Sequence, residues 1–490
     1  MIMNKLLLLI GFVLPLCLGA QSNLQRENEA VINAYLQSIQ ENRAKLTAFF
    51  SAMPKGGDLH HHFSGSVYGE TFLEILEGED FWVNRNTLQV TPTLPPNKDQ
   101  AWARVSTLKA LGLYESMKND LLMFWSVKDY YTDPEDPSHE HFFESFPKFS
   151  AVSELALDRG LTELKNRAVT ENVQYIETML RTIPYDWAPF DTLEAFTEQL
   201  LAIQSRQDER ALDTLLDRLF AHIQHIGIDS LVDAHNKRIH DVHDSLQLDS
   251  DQFIMRYQNF VLRFKKPVRL FTDLVLCFAS ADKSPLITGV NIVAPEHGTV
   301  SMRDYWLHMH FFRYCSQQFP QVKKAMHAGE LVLGLVPPEE LSWHINAAVK
   351  VAGANRIGHG VDIGYELAAY DLMQYMKENE IAVEINLWSN AFILEVEGDE
   401  HPVQLYHESG VPIVISTDDA GVLRSNLTDQ YVLLAHEQRF LDYSQIKQIV
   451  YNSIRYSFIE EPTVRKKLLT LLDQSFKAFE ATIITYVKDR

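Results

Sequence analysis

The stretch MPKGGDLHHHFSGS, residues 53–66, places three consecutive histidines in a β-like segment between a Gly-Gly pair and a Ser-Gly pair. Side chains two positions apart on a strand point to the same side. His60 and His62 can therefore face one metal ion together, while His61 points the other way. The alternative is a solvated, tag-like histidine run, which the surrounding strand pattern disfavours.

Three later β-like runs also end in residues that bind metals or transfer protons. HAGE supplies His327 and Glu330, GHG places His359 between glycines, and STDD supplies Asp418 and Asp419. Each has a simpler interpretation, namely a helix start, a loop histidine and a helix cap. Four such motifs at the ends of predicted strands together favour one shared site.

Short β-rich runs alternate with helix-like segments, which predicts an α/β fold with a parallel sheet. Eight such runs predict a (β/α)8 TIM-type barrel. The predicted strands are 56–63, 173–180, 267–278, 287–293, 323–330, 356–360, 381–388 and 411–417. Because the carboxyl ends of barrel strands meet at one face, the four motifs are expected to converge there.

The barrel domain is predicted to span residues 53–490. A helical extension, residues 21–52, precedes it, and is expected either to cap the bottom of the barrel or to mediate dimerisation. An insertion follows the first strand. Residues 80–100 of the insertion are predicted to form a loop, and residues 130–146 a turn that leads into an aromatic helix.

Residues 1–20 have the pattern of a signal peptide: Lys5, then an apolar run, then Leu-Gly-Ala at a plausible cleavage site. A lipoprotein anchor at Cys17 is less favoured, because a leucine precedes that cysteine. We therefore expect a secreted or periplasmic protein. No later apolar stretch is long enough to span a membrane, so no membrane association is expected after signal removal.

The formal net charge of -21 argues against a nucleic-acid partner, because phosphate backbones would be repelled. Cys277 and Cys315 are the only cysteines beyond the signal segment, too few for a thiolate zinc site or a disulfide framework. A metal must then be held by histidines and carboxylates. Three His and one Asp leave a position for water, which predicts metal-assisted hydrolysis with Glu330 and His359 available for proton transfer.

The four motifs in this order resemble the adenosine deaminase family of metal-dependent amidohydrolases. MPKGGDLHHHFSG is similar to the family's opening P-K-x-x-L-H-x-H motif, and HAGE, GHG and TDD follow in family order. HPV at 401–403 and NSIRYSF at 452–458 extend the resemblance to about residue 460. The MPKGG form, the signal segment and the extension are most similar to the secreted adenosine deaminase-related growth factors.

The resemblance implies one Zn²⁺ per chain and a role for each site residue. The implied ligands are His60, His62, His327 and Asp418. Glu330 is implied to protonate purine N1, His359 to orient and deprotonate the attacking water, Asp419 to hydrogen-bond N7, and the Ala294 backbone N–H to face N3. Ser64 is implied to lie near the ribose 5′-hydroxyl, where many members have an acid. Asn291 and Ala294 stand where Asp and Gly are usual.

The expected function is hydrolytic deamination of a small-molecule purine nucleoside, adenosine or 2′-deoxyadenosine, to inosine and ammonia. The alternatives are deamination of adenine or a modified adenosine, and a secreted binding or signalling protein that keeps only the fold. All predicted ligands and Glu330 are present, which argues against the binding protein. The zinc deaminase design with a Cys-x-x-Cys pair is excluded, because no such pair occurs. A homodimer through the extension is a further expectation.

Overall fold

The structure is a computed structural model, and it describes residues 26–95 and 98–489. The predicted signal peptide lies outside the described residues. Eight parallel strands form one sheet in the order β1-β5-β6-β7-β8-β9-β10-β11. They are β1 (Gly56–His62), β5 (Val173–Arg181), β6 (Ile254–Leu262), β7 (Ile287–Val293), β8 (Lys323–Ala328), β9 (Arg356–His359), β10 (Ala382–Ile385) and β11 (Ile413–Ile415). A second, antiparallel sheet contains β2 (Trp82–Asn84), β3 (Val90–Thr91) and β4 (Trp102–Arg104).

Helices surround the eight-stranded sheet, with one or more between most pairs of consecutive strands. In chain order they are α1 (26–39), α2 (Arg43–Ala52), α3 (Phe63–Ser66), α4 (Gly69–Gly78), α5 (Val105–Ala110), α6 (Tyr114–Phe124), α7 (Ser138–Ser153), α8 (Leu157–Thr170), α9 (Thr197–Gln204), α10 (Glu209–Ile226), α11 (Asp229–Ser245), α12 (Pro267–Lys283), α13 (Thr299–Gln318), α14 (His344–Lys350), α15 (Ala369–Glu378), α16 (Leu387–Leu394), α17 (Val403–Ser409), α18 (Ala420–Leu423), α19 (Leu427–Glu437), α20 (Tyr443–Arg455) and α21 (Pro462–Lys488). Among the described residues, no helix is both long enough and apolar enough to cross a bilayer.

The first and last strands meet and close the sheet into a nearly complete (β/α)8 barrel, as predicted. The Asp418 N–H donates to the His60 carbonyl at 2.9 Å, and the His62 N–H donates to the Asp418 carbonyl at 3.1 Å. Closure of the barrel thus brings the first and the last predicted metal ligands to the same point of the C-terminal face.

One predicted strand is wrong. Residues 267–278 belong to α12, and the missing third barrel strand is β6, which the sequence pattern did not single out. The α12 segment is buried on nearly every side, so its apolar run has no helical periodicity that would separate it from a buried strand. Pro267 opens the helix, a position where its fixed φ is favourable. The predicted loop 80–100 also contains two strands of the small sheet.

The N-terminal extension packs within its own chain, against α19 to α21. The Phe49 ring contacts Phe479 at a centroid distance of 5.2 Å, and Phe50 stacks on Tyr431 at 6.1 Å. Ile32 and Leu36 of α1 are fully buried in the same core. Dimerisation through the extension stays a prediction.

The insertion after β1 contacts three of the segments that follow barrel strands. The Val127 N–H donates to the Val422 carbonyl at 2.9 Å, just beyond the Asp418–Asp419 pair. Tyr130 contacts Phe392 at a ring distance of 5.1 Å. The aromatic helix predicted near residue 140 is α7, and its His139 meets His297 edge-on at 5.3 Å. The insertion therefore borders the face where the predicted site lies.

Candidate metal centre and active site

The four predicted metal ligands converge at the C-terminal end of the barrel. Ligand atoms of His60, His62, His327 and Asp418 all lie within 4.8 Å of one another. The His62 Nε2 is 3.1 Å from His327 Nε2 and 3.2 Å from Asp418 Oδ1, and His60 Nε2 is 3.4 Å from the same oxygen. Residues separated by more than three hundred positions in the chain thus share one buried cluster.

The spacing of these atoms fits a single ion. Tetrahedral zinc with bonds of about 2.0–2.1 Å holds neighbouring ligand atoms about 3.3 Å apart, close to the three separations observed. The His60 Nδ1 bonds Glu384, which leaves Nε2 to face the ion position, and that buried atom has no hydrogen-bond partner among the described residues. Three imidazoles and a carboxylate are also a donor set that zinc favours.

A buried hydrogen-bond chain beneath the cluster joins two of the ligands. His60 Nδ1 bonds Glu384 at 2.7 Å, and Arg356 bridges Glu384 and Glu177 with two contacts of 2.5 Å. Gln258 extends the chain from Glu177 at 3.1 Å. Such outer contacts fix the tautomer and orientation of ligand histidines.

The same chain ends on His327. Gln258 accepts from the Asn291 amide at 3.2 Å, and His327 Nδ1–H donates to Asn291 Oδ1 at 3.0 Å. Asn291, where the family usually has Asp, therefore keeps the acceptor that orients His327. Arg263 adds a hydrogen bond of 2.8 Å to the His327 carbonyl, which holds the end of β8 in place.

Glu330 is positioned by the turn that follows His327. Glu296 accepts the backbone N–H of Glu330 at 3.0 Å and that of Gly329 at 3.3 Å. Gly329 has φ +76, and a Cβ there would lie 2.4 Å from Asp362, so only glycine suits this turn. No helix begins at the motif, contrary to the simpler interpretation. Burial, reinforced by the charge of Asp418, raises the pKa of Glu330 well above its usual range. A neutral carboxyl of this kind can donate a proton.

His359 lies beside Glu330 and Asp418. Its Nε2 is 3.7 Å from Glu330 Oε1 and 3.9 Å from Asp418 Oδ2. Burial lowers the pKa of His359 to about 3, so the ring is neutral and one nitrogen carries a lone pair. The histidine ends β9 and is 1% exposed, unlike an ordinary loop histidine.

Asp419 packs against Gly65 instead of capping α18. Its side chain makes no capping hydrogen bond, and its Oδ1 is buried without a partner among the described residues. Burial and the charge of Asp418 raise the pKa of Asp419 well above its usual range. Ser64 lies one residue before Gly65 and is partly exposed.

Three site residues adopt left-handed backbone conformations that non-glycine residues rarely use. The φ angles are +84 at Ala294, +68 at His359 and +62 at Asp418. The first of these explains why the family prefers glycine at the position of Ala294. Strain of this kind costs about 1–3 kcal/mol per residue and is typical of functional sites.

The amino-acid sequence is similar to those of known deaminases. Residues 250–475 match the sequence pattern of the family described as Adenosine deaminase. An adenosine deaminase from Clostridium kluyveri is 27% identical over 423 residues, which cover 86% of this chain and 94% of that protein.

Residues 250–475 of the chain belong to the adenosine deaminase family. The comparisons support a metal-dependent hydrolase of the kind that acts on purine amidines. A Clostridium perfringens adenosine deaminase is 30% identical over 151 residues, 30% of this chain and 41% of that enzyme. An adenine deaminase from Sinorhizobium fredii is 29% identical over 202 residues, 40% of this chain and 55% of that enzyme. Some relatives are thus matched over about half of their length and others almost completely.

Solved structures of other proteins share the fold. An Arabidopsis N6-mAMP deaminase superposes with a TM-score of 0.53 at 17% identity, covering 87% of this chain and 99% of that one. An amidohydrolase from Burkholderia ambifaria, solved with bound Zn, gives a TM-score of 0.50 at 16% identity, with 89% and 94% covered. At these identities the comparison concerns the barrel alone.

Sequence reasoning did not find the residues that support the ligands. Glu384, Arg356, Glu177 and Glu296 are all buried acids or bases that contact the site from other strands or loops. A signal was present for one of them: Glu384 interrupts the apolar strand β10, and a charge in the middle of a buried strand needs a partner.

Proposed function

We propose that this protein deaminates adenosine or 2′-deoxyadenosine by hydrolysis, with one Zn²⁺ per chain held by His60, His62, His327 and Asp418. The observation that carries the proposal is the second cluster beside those ligands. Ligand atoms of Glu330, His359 and Asp418 lie within 4.8 Å of one another, so an acid and a base border the ion position. A bound divalent cation would supply a polarised water and offset the negative charge that develops during attack.

The protein's own residues divide the proton transfers. Glu330 would donate its proton to purine N1, which makes C6 a better electrophile. His359 would take a proton from the attacking water through Nε2. Asp419 would hydrogen-bond N7, and the Ala294 N–H would face N3, so the ring is oriented at both edges. Water adds to C6 and the amino group leaves as ammonia, which converts adenosine to inosine.

A substrate panel on the purified protein tests the reaction. Adenosine, 2′-deoxyadenosine, adenine and N6-methyl-AMP would be followed by aminopurine absorbance and by release of ammonia or methylamine, with and without a chelator. Elemental analysis of the same sample identifies the metal. We expect about one zinc per chain, fastest turnover of adenosine or its deoxy form, and loss of activity on chelation. A metal-loaded protein that releases no amine from any of the four would contradict the proposal.

Replacing Glu330 tests the assigned acid. Glu330→Gln keeps the shape but lacks the proton, so we expect metal content to stay unchanged while turnover falls by about 10²–10⁴-fold. Glu339→Gln is the matched control and should behave as wild type, because Glu339 is exposed on the short 3-10 helix Pro338–Ser342 that follows this turn. A normal rate in Glu330→Gln would show that another group supplies the proton.

A second candidate is deamination of adenine or a modified adenosine such as N6-methyl-AMP. Ser64 offers no carboxylate for a ribose 5′-hydroxyl, and the relatives include adenine deaminases. Turnover of free adenine without turnover of adenosine would favour this alternative, and so would preference for the 5′-monophosphate.

We also propose that the protein is secreted or periplasmic, and that it is most similar to the secreted growth-factor branch of the family. The basis is the signal-like segment 1–20 and the MPKGG motif. Amino-terminal sequencing of protein from its native host would test it, since a chain that starts near residue 21 is expected. Retention of residues 1–20 on a cytoplasmic protein would contradict it. Size-exclusion chromatography with light scattering would test the predicted dimerisation through residues 21–52.

A further inference from the structure

A buried polar relay contacts His359 on the side away from the metal ligands. The Asn390 amide nitrogen is placed 2.9 Å from His359 Nδ1, and the amide oxygen lies 3.0 Å from His401 Nε2. Asn390 is 0% exposed and His401 2% exposed. His401 begins the HPV motif, and Asn390 lies on α16, directly after β10. No step of the proposed reaction uses either residue.

The orientation of this amide decides what His359 can do. The two ends of an asparagine amide have the same shape, but one end accepts hydrogen bonds and the other donates them. With the amide nitrogen toward His359, Nδ1 must accept, so the ring proton sits on Nε2 and Nε2 cannot take a proton. With the amide oxygen toward His359, the ring proton sits on Nδ1 and the Nε2 lone pair faces Glu330 and Asp418.

We propose that Asn390, held in turn by His401, is the positioning residue that fixes the tautomer of His359. The two amide ends are exchanged relative to the placement above, so that the oxygen accepts from Nδ1–H and the nitrogen donates to His401 Nε2. This inference rests on the proposed function, because it assigns His359 the base role. Once Nε2 has taken a proton, both ring nitrogens are donors and Nδ1–H needs an acceptor. The Asn390 amide, at 2.9 Å, is nearer to Nδ1 than the Asn386 amide, at 3.5 Å. A neutral His401 can accept the amide N–H, and burial lowers the pKa of His401 to about 3, which keeps it neutral.

Substitution of Asn390 tests the relay in the metal-loaded enzyme. Asn390→Ala removes the acceptor, so we expect kcat to fall on the order of 10²-fold, with KM and metal content nearly unchanged. Asn390→Asp keeps an acceptor for Nδ1–H and should retain most of the activity. The matched control is Asn236→Ala. It removes another buried amide, which donates to the Ser280 carbonyl and accepts from the Ser280 hydroxyl between α11 and α12.

Two kinetic results would overturn the proposal. The first is that Asn390→Ala and Asn236→Ala have the same kcat once each rate is divided by the concentration of folded protein. The other is equal impairment of Asn390→Asp and Asn390→Ala, because a purely structural amide would not discriminate between an acceptor and no acceptor.

A spectroscopic measurement covers the case in which the variants fail to fold or the enzyme has another activity. Nitrogen-15 spectra of histidine-labelled wild-type protein, with His359 assigned by its loss in His359→Gln, report which ring nitrogen carries the proton. We expect Nδ1 to be protonated and Nε2 free, and the reverse would overturn the inference. A wild-type protein that turns over no aminopurine would refute the proposed function and would leave this measurement valid on its own.

Discussion

Replacement of Gly65 by alanine tests how closely the site controls Asp419. A Cβ on Gly65 would lie 1.6 Å from Asp419 Oδ1 and 2.5 Å from its Cγ, whereas ordinary contact begins at 3.4 Å. The oxygen would therefore have to move by about 1.8 Å within a buried site. Misplacement of a positioning group by about 1 Å can cost on the order of 10²-fold in rate. Gly65 has no positive φ, so the effect is steric and not conformational.

We expect Gly65→Ala to bind metal normally and to lose roughly 10²-fold in kcat/KM for its aminopurine substrate. Gly364→Ala is the control, because a Cβ at Gly364 meets nothing within 4 Å and its φ is not positive. Kinetics, elemental analysis and thermal unfolding of both variants would be compared. Wild-type kcat/KM in Gly65→Ala would refute the reasoning.

A double-mutant cycle then locates the effect. If the loss passes through Asp419, Gly65→Ala should add little in an Asp419→Ala background. Independent, additive losses would mean that the new methyl group disturbs something other than this carboxylate, such as the nearby ligand Asp418.

Three further predictions concern the buried network. Glu384→Gln weakens the acceptor that orients His60, so metal affinity in a chelator competition should fall by about 10–100-fold. An unchanged metal affinity would exclude a role for Glu384 in orienting this ligand. Arg356→Met leaves Glu177 and Glu384 buried without their cation. Urea denaturation should therefore show a free energy of unfolding that is about 3–5 kcal/mol lower. An unchanged free energy of unfolding would contradict the importance of this ion pair. Burial alone would raise the pKa of Glu296, but the hydrogen bond from His344 and the charge of Arg263 outweigh it and lower the pKa from 4.5 to about 2. The ionised Glu296 therefore contributes on the order of 3 kcal/mol above about pH 4.5, and this contribution is lost as pH falls toward 2. The difference in unfolding free energy between wild type and Glu296→Gln should shrink over that interval, and a difference that is constant with pH would contradict the assignment.

Much of the site could be predicted because its chemistry follows local rules. A strand period of two makes His60 and His62 a pair, and polar residues that end parallel strands meet at one face. Each of these inferences needs only a few neighbouring residues. The closed barrel followed from the number of alternating units, even though one predicted strand is in fact α12 and the true one is β6.

Only the tertiary structure decided which residues support the ligands. Glu384 meets His60 across 324 positions of the chain, and Arg356 meets Glu177 across 179, so no local pattern connects them. These contacts depend on the register in which β9 and β10 join the closed barrel. The choice between helix and strand for residues 254–283 was likewise decided by packing, because burial on all sides removes the periodicity that distinguishes them.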